Sequence, residues 1–333
     1  MTTDKSKPFR ITRWISWAEA FILVLIISFA FYTTLPVKTT HTLFIPKGSI
    51  GSIISQLTKK GYELSIVDTY ILRFMGTPKT GWIHIGKSQL NRIDFLYKLT
   101  SSKAMIHKVT LIPGETSVLF FKSLAEKLNL EQNKLEKYYH EFSPYPEAGI
   151  YADTYYVPYG IKEKHLMHFL VRESEKRYKS ISEKIYGNYN QKQWQKVLTI
   201  ASIIQKEAAN DKEMPLVSSV IYNRLKRGMR LQMDGTLNYG KYSHVRVTPE
   251  RIKNDESSFN TYKHKGLPSS PIGAVSLSAI KAAIKPAKTE YLYFMKNAKG
   301  THDFSKTFKA HRRSVIKRKK QQAKKLSKGM KTK

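Results

Sequence analysis

V-L-T-I-A-S-I-I-Q-K-E-A-A-N (residues 197–210) and S-S-V-I-Y-N-R-L-K-R-G-M-R-L-Q-M-D-G-T-L-N-Y-G (residues 218–240) organise the reading of the whole chain. Trp194, Val197, Leu198, Ala201, Ile204 and Ala208 recur at helical spacing, as do Ile200, Ile203, Ile204 and Glu207. This predicts a largely buried helix that carries one carboxylate among apolar neighbours, with Gln205 and Lys206 projecting elsewhere. Desolvation there disfavours the anion and lifts the pKa toward the range of a general acid at neutral pH. An ordinary Glu at the rim of the apolar stripe, paired with a basic residue, fits the same spacing.

The 333 residues give room for one large or two ordinary domains, and 41% hydrophobic content with 12% aromatics is enough for a sizeable core. The chain has no cysteine, which excludes disulfides, thiolate metal sites and a Cys nucleophile. A formal net charge of +33 favours a polyanionic partner: nucleic acid, an anionic membrane surface or an acidic polymer. Eleven of the cations lie between Arg312 and Lys333 with no acid among them.

Residues 18–35, A-E-A-F-I-L-V-L-I-I-S-F-A-F-Y-T-T-L, are long and apolar enough for a transmembrane helix. Lys5, Lys7, Arg10 and Arg13 precede them and only Lys38 follows closely, so the positive-inside rule puts the N-terminus in the cytoplasm and the remainder outside. Trp14 and Trp17 fit the inner interface. A cleaved signal peptide and a buried core helix are the competing readings; no small-x-small cleavage site follows the run, and the run is longer than a typical signal h-region.

Beyond the span, residues 42–46 read as a strand ended by Pro46-Lys47-Gly48. Ile50, Ile53, Ile54 and Leu57 mark a helix closed by Gly61. The order strand, Pro-Gly turn, helix returns at residues 109–128, about 67 positions later. Between the copies, residues 66–75 read as a helix and 82–85 as a strand. Residues 144–160 read as a loop of Pro, Gly and Tyr. Residues 161–186, 191–209 and 214–226 read as helices, 260–271 as a polar loop, 278–284 as a short helix and 291–295 as a strand. From residue 306 the chain reads as helical and basic, then disordered.

No Gly-rich phosphate loop, Ser-His-Asp signature or HExxH motif occurs, and the ten histidines are scattered without ligand spacing. Neither a cofactor nor a metal is expected. Gln232-Met233-Asp234 and Asn260-Thr261-Tyr262 place amide, carboxylate, hydroxyl and aromatic groups on loops, the equipment of a carbohydrate site and also ordinary turn chemistry. His302, after a predicted strand, is the one histidine singled out.

The stretches A-S-I-I-Q-K-E (201–207), Y-N-R-L-K-R-G-M-R-L-Q-M-D-G-T (222–236), N-T-Y (260–262), G-L-P-S-S-P-I (266–272), K-P-A-K-T-E-Y-L-Y-F (285–294) and K-G-T-H-D-F (299–304) resemble the YceG-like, or MltG, family of endolytic murein transglycosylases. Order and spacing match over roughly residues 15–315. The resemblance implies an α+β fold with a cytoplasmic N-terminus (1–17), a single transmembrane helix (18–35), a LysM-like subdomain (40–107), a YceG-like catalytic domain (108–316) and a basic disordered tail (317–333). It makes Glu207 the catalytic residue. The neighbouring acid of the family motif is Gln205 here, which leaves one carboxylate on the helix. The family's E-G-Y-L-F-P-D-T-Y becomes E-A-G-I-Y-A-D-T-Y (147–155), keeping Glu147, Asp153, Thr154 and Tyr155.

The implied activity is non-hydrolytic cleavage of the MurNAc-GlcNAc β-1,4 bond of nascent glycan strands, leaving 1,6-anhydro-MurNAc ends and terminating elongation. An ordinary glycosidase needs two carboxylates. When the sugar's own 6-hydroxyl attacks, one acid/base suffices. Gln232, Asp234, Asn260, Tyr262 and His302 are candidate substrate-positioning groups, and Asp234 is alternatively a second catalytic carboxylate. The expected partners are glycan strands, the bacterial inner membrane and peptidoglycan synthases. Two other readings compete: a non-catalytic, membrane-anchored peptidoglycan-binding scaffold, and a nucleic-acid binder suggested by charge alone, which the expected topology turns away from the nucleoid. For the basic tail, a solvated end and a specific contact both stand.

Overall fold

The structure is a computed structural model that describes residues 7–329, with side chains from 14 to 318. Lys5 of the expected cytoplasmic segment and Lys331 and Lys333 of the tail lie outside the described residues. The fold is mixed α+β and resolves into two compact units, one of residues 1–107 with 158–160, the other of residues 108–157 and 161–333.

The first unit opens with α1 (Lys7–Thr34), whose stretch Trp14–Thr34 is long and apolar enough to cross a membrane and is exposed as far as Phe31. β1 (Pro36–Lys38), β2 (Thr42–Ile45), α2 (Ile50–Lys59), α3 (Ile66–Met75), β3 (Gly81–His84), β4 (Gln89–Asn91) and α4 (Arg92–Ser101) follow. β1 pairs antiparallel with β4, and β2 with β3 in the register Leu43↔Ile83. Leu43 and Ile45 point inward on alternate positions of β2 and meet Ile53, Ile54 and Leu57 of α2. Phe95, Leu96 and Leu99 of α4 complete that core.

Both helices between the paired strands are capped as their sequences dictate. The Ser49 hydroxyl accepts the Ser52 N–H, and Ser65 with Asp68 forms a capping box at the start of α3.

The second unit begins within β5 (Ile106–Thr110), continues through α5 (Ser117–Leu128) and α6 (Gln132–Phe142), and returns along β6 (Thr154–Pro158), which pairs with β5. The repeated strand, turn and helix therefore belongs to a larger repeat: β2-α2-α3-β3 and β5-α5-α6-β6 share the order strand, helix, helix, strand. β6 lies where a loop was expected. Its tyrosines alternate, Tyr155 and Val157 inward and Tyr156 outward, a period of two hidden by the surrounding prolines and glycines.

α7 (Glu163–Tyr186) packs along α6, and Leu166, Met167 and Leu170 join Phe121, Leu124 and Tyr139 in one core. α8 (Gln191–Glu207) is the central element of a second core. Every residue from Val197 to Ile204 is buried, more than the single stripe its spacing predicts, because α9 (Met214–Lys226) and, after α10 (Pro249–Asn254), α11 (Leu277–Ile284) close over it. β7 (Tyr293–Lys296) and β8 (His302–Ser305) form an antiparallel hairpin. α12 (Phe308–Gly329) runs through the basic segment that reads as disordered. Its Lys, Arg, Gln, Ala and Leu are good helix formers, uninterrupted by Gly or Pro before Gly329.

Candidate active site

Burial of α8 fixes where its last residue ends up. Glu207 terminates the helix at its C-terminal end, and the chain turns extended at Ala208. Among the described residues its carboxyl has one hydrogen-bond partner, the Gly235 N–H, 2.6 Å from Oε1. Desolvation raises the Glu207 pKa to about 7 against the lowering effect of that bond, and the negative charge of Asp234 adds to the rise. The helix dipole, negative at this end, works in the same direction. Among the described residues no cation pairs with the group, unlike the ordinary ion-paired Glu that the spacing also allowed: the neighbouring Lys206 turns away and donates to Ser243 Oγ at 3.0 Å.

Gly235 is there because nothing larger fits. A Cβ at this position would stand 2.8 Å from Glu207 Oε1 and 2.9 Å from Lys206 Cβ. The loop before it is held from beneath by Arg224, buried in α9, which donates to the carbonyls of Leu231 (2.6 Å) and Leu292 (2.6 Å). Gln232 sits in the left-handed region (φ 50°), a costly backbone for a non-glycine residue, with its N–H bonded to the Thr261 carbonyl.

Tyr262, Asp234 and Gln232 face the same space. The Tyr262 hydroxyl donates to Asp234 Oδ1 at 2.5 Å, and burial together with that carboxylate pushes the phenol well above its usual range. His302 on β8 comes to the same wall. Its N–H and its Nδ1 meet Glu213 at 2.8 and 2.7 Å, and this pairing holds the Glu213 carboxyl below its ordinary value despite partial burial.

Five of the six residues singled out from sequence therefore line one recess of about 240 Å³: Glu207, Gln232, Asp234, Tyr262 and His302. A second recess of about 500 Å³, walled by Lys206, Asn238, Ser243 and Arg246, shares Glu207 and Asp234 with the first. The Glu207 carboxyl thus borders both recesses.

Asn260 is a correction. It is fully buried; Nδ2 donates to the carbonyls of Ile252 (2.8 Å) and Asp255 (2.7 Å), and Oδ1 accepts the Tyr262 N–H. It is a post that carries the loop and does not face the recess. Among the described residues no cluster of three or more His, Asp and Glu side chains is placed to hold a metal.

Sequence reasoning missed Glu213, Arg224 and Gly235. The first two carry no local signal for their roles, since the His302 partner of Glu213 lies 89 positions away and the Leu292 carbonyl that Arg224 holds lies 68 away. Gly235 in Asp-Gly-Thr had one: a glycine in a loop beside polar groups often marks close backbone approach.

The sequence profile of the YceG-like family matches residues 43–317, most of the chain. The chain belongs to the YceG-like family. A Bacillus subtilis protein named endolytic murein transglycosylase is 28% identical over 312 residues, 83% of this chain and 84% of that one. A Streptococcus pneumoniae protein of the same name is 38% identical over 104 residues, 30% of this chain but only 19% of that longer protein. The crystal structure of a yceG-like protein from Listeria monocytogenes superposes with a TM-score of 0.55 at 24% identity, covering 82% of this chain and 97% of that one, and shows that the fold is shared.

Proposed function

We propose that this YceG-like chain is a membrane-anchored endolytic lytic transglycosylase of peptidoglycan with Glu207 as its single acid/base. The observation that carries the proposal is the Glu207 carboxyl, pushed up to about 7 by desolvation, met among the described residues by one N–H and no cation, and bordering both recesses. The two relatives named endolytic murein transglycosylase support the substrate class.

Protonated Glu207 gives its proton to the glycosidic oxygen between MurNAc C1 and GlcNAc as the C1–O bond breaks. The muramyl 6-hydroxyl closes on C1, and the Glu207 carboxylate takes its proton, restoring the acid. The product is a 1,6-anhydro-MurNAc end, formed without water, and each such end terminates a growing strand. Gln232, Tyr262 and His302 orient the sugars. Asp234, occupied by the Tyr262 hydroxyl, acts through its charge, which keeps Glu207 protonated.

α1 anchors the enzyme in the bacterial inner membrane with the N-terminus cytoplasmic and the catalytic unit outside. The β2-α2-α3-β3 arrangement supports a LysM-like reading of the first unit, and synthases of the same strands are natural partners.

The test uses the full chain, wild type and Glu207→Gln, with uncrosslinked glycan strands and mass spectrometry of the ends. The expected result is loss of anhydro ends by roughly 10²–10⁴-fold, the usual contribution of a general acid/base. Undiminished anhydro product from the variant sinks the assignment.

A further inference from the structure

The outward arc of α3 has the wrong chemistry for water. Ile66 is 73% exposed, Tyr70 62% and Phe74 95%, one above another at i, i+4 and i+8, with Val67 and Arg73 completing the arc. Asp68, Thr69 and Leu72 face the core instead. A helix that packs on one side in water carries polar residues on the other, and contiguous exposed apolar groups mark an interaction surface. Beside the stripe runs a groove of about 690 Å³ between α2 and α3, whose apolar floor includes Ile54 and Leu64 and whose cations are Lys59 and Arg73. The Arg73 guanidinium lies 5.5 Å from the Tyr70 ring.

The placement of α3 says what covers this face. Tyr32, in the last turn of α1, hydrogen-bonds Ser65 Oγ at 2.6 Å and donates to Asp68 Oδ2 at 3.0 Å. Arg92 locks the joint: it pairs with buried Asp68 at 2.7 Å, donates to the Tyr32 hydroxyl at 3.0 Å and lies 4.3 Å from the Tyr32 ring. The first turn of α3 is therefore fixed to the end of the apolar helix. Tyr32 precedes Thr34 by about 3 Å of helical rise. The headgroup zone extends roughly 5–7 Å beyond the hydrocarbon. A stripe that starts at Ile66, next to Ser65, starts inside that zone and runs about 12 Å to Phe74.

We propose that α3 is an interfacial helix that seats the first unit on the outer leaflet of the bilayer that α1 crosses. Ile66, Tyr70 and Phe74 enter the lipid, and Lys59 and Arg73 meet anionic headgroups. The inference rests on α1 being a membrane span. It adds that the first unit has a fixed posture on the membrane surface: the joint at Tyr32 is a bracket, and the stripe is its foot.

The chain has no cysteine, so single-cysteine labels can be placed without removing any residue. Full-length Tyr70→Cys and Phe74→Cys proteins carry an environment-sensitive fluorophore in phosphatidylcholine/phosphatidylglycerol vesicles with nitroxide lipids. Lys87→Cys, at an exposed position elsewhere in the unit, sets the background, and Leu25→Cys reports on α1 with a deep nitroxide. The expected result is several-fold stronger quenching by headgroup or shallow nitroxide at positions 70 and 74 than at 87. Adding Ile66→Ser and Tyr70→Ser to Phe74→Cys should abolish it without lowering the melting temperature. Leu25 quenched with positions 70 and 74 at background overturns the interfacial helix and leaves the anchor standing. Leu25 unquenched removes the anchor and this inference with it.

Discussion

Glu207 and Glu147 are two mostly buried glutamates of the same unit, both raised in pKa chiefly by desolvation, yet their surroundings give them opposite tasks. Glu147 accepts the Ser117 N–H at 3.1 Å, the Ser117 hydroxyl at 2.7 Å and the Ala148 N–H at 3.0 Å. It stands over the N-terminus of α5, where the dipole favours an anion, and replaces the cap bond that the Thr116 side chain does not make. Glu207 stands at a helix C-terminus with one N–H donor. Lys206 eases the charge on Glu147, and Asp234 aggravates it on Glu207. Burial lifts a carboxyl's pKa at either place. Only a carboxyl oxygen that no neighbouring donor occupies, and that faces a cleft, can carry the O–H that donates.

The largest expected difference between the two is catalytic. Glu207→Gln should lower anhydro-end formation by at least about 100-fold. Glu147→Gln should leave the turnover of the folded fraction within a few-fold. A matched loss in both variants, per mole of folded protein, would erase the distinction.

Next in size is the contact that holds Glu207 in place. A Cβ at Gly235 would lie 2.8 Å from Oε1, so Gly235→Ala should swing the carboxyl off its N–H and reduce kcat about 10- to 100-fold, the scale of a small misplacement of a reacting group. Unchanged kcat would mean that the Gly235 bond does not position the acid.

Stability should move in opposite directions. The folded pKa of Glu207 is about 7 against an ordinary 4.5. The stability it leaves intact below pH 4.5 is therefore lost as the pH rises through 7. Glu207→Gln keeps an oxygen for the Gly235 N–H and removes the ionisable group, so it should leave stability unchanged near pH 4.5 and raise it above pH 7 by about 2–3 kcal/mol at most. Glu147→Gln turns an amide NH₂ toward the Ser117 donors and should cost about 1–3 kcal/mol. Thermal melts at pH 5 and pH 8 check both signs, and a Glu207→Gln protein that melts lower at pH 8 contradicts the desolvation argument.

What the sequence made legible follows the range of the interactions involved. α8 and the apolar run that leads to Glu207 were readable because helical spacing is a local property, and so were α2, α3 and α9; that the helix stops at Glu207 instead of running on through Ala209 was not. Asn260 looked like a sugar-binding amide because its partners, the carbonyls of Ile252 and Asp255, are backbone groups with no sequence signature. β6 was hidden by Pro and Gly, whose turn chemistry outweighed five residues of alternation. Glu147 was legible as part of a motif but not as a helix cap, since the helix it caps starts 30 positions earlier.

The smallest expected effect tests the charge half of the contrast. Asp234 raises the Glu207 pKa through its negative charge, while its Oδ1 accepts the Tyr262 hydroxyl. Asp234→Asn keeps an oxygen for Tyr262 and removes the charge, so the carboxyl of Glu207 should ionise at lower pH. Activity depends on the protonated acid, so its descending limb near pH 7 should move downward by less than about one unit, with kcat on the acidic side nearly unchanged. A second carboxylate that took part in bond making would behave otherwise: its loss would lower kcat by about 100-fold or more at every pH and leave the limb where it was. A pH profile of anhydro-end formation by Asp234→Asn separates a neighbour that tunes the acid from one that shares its chemistry.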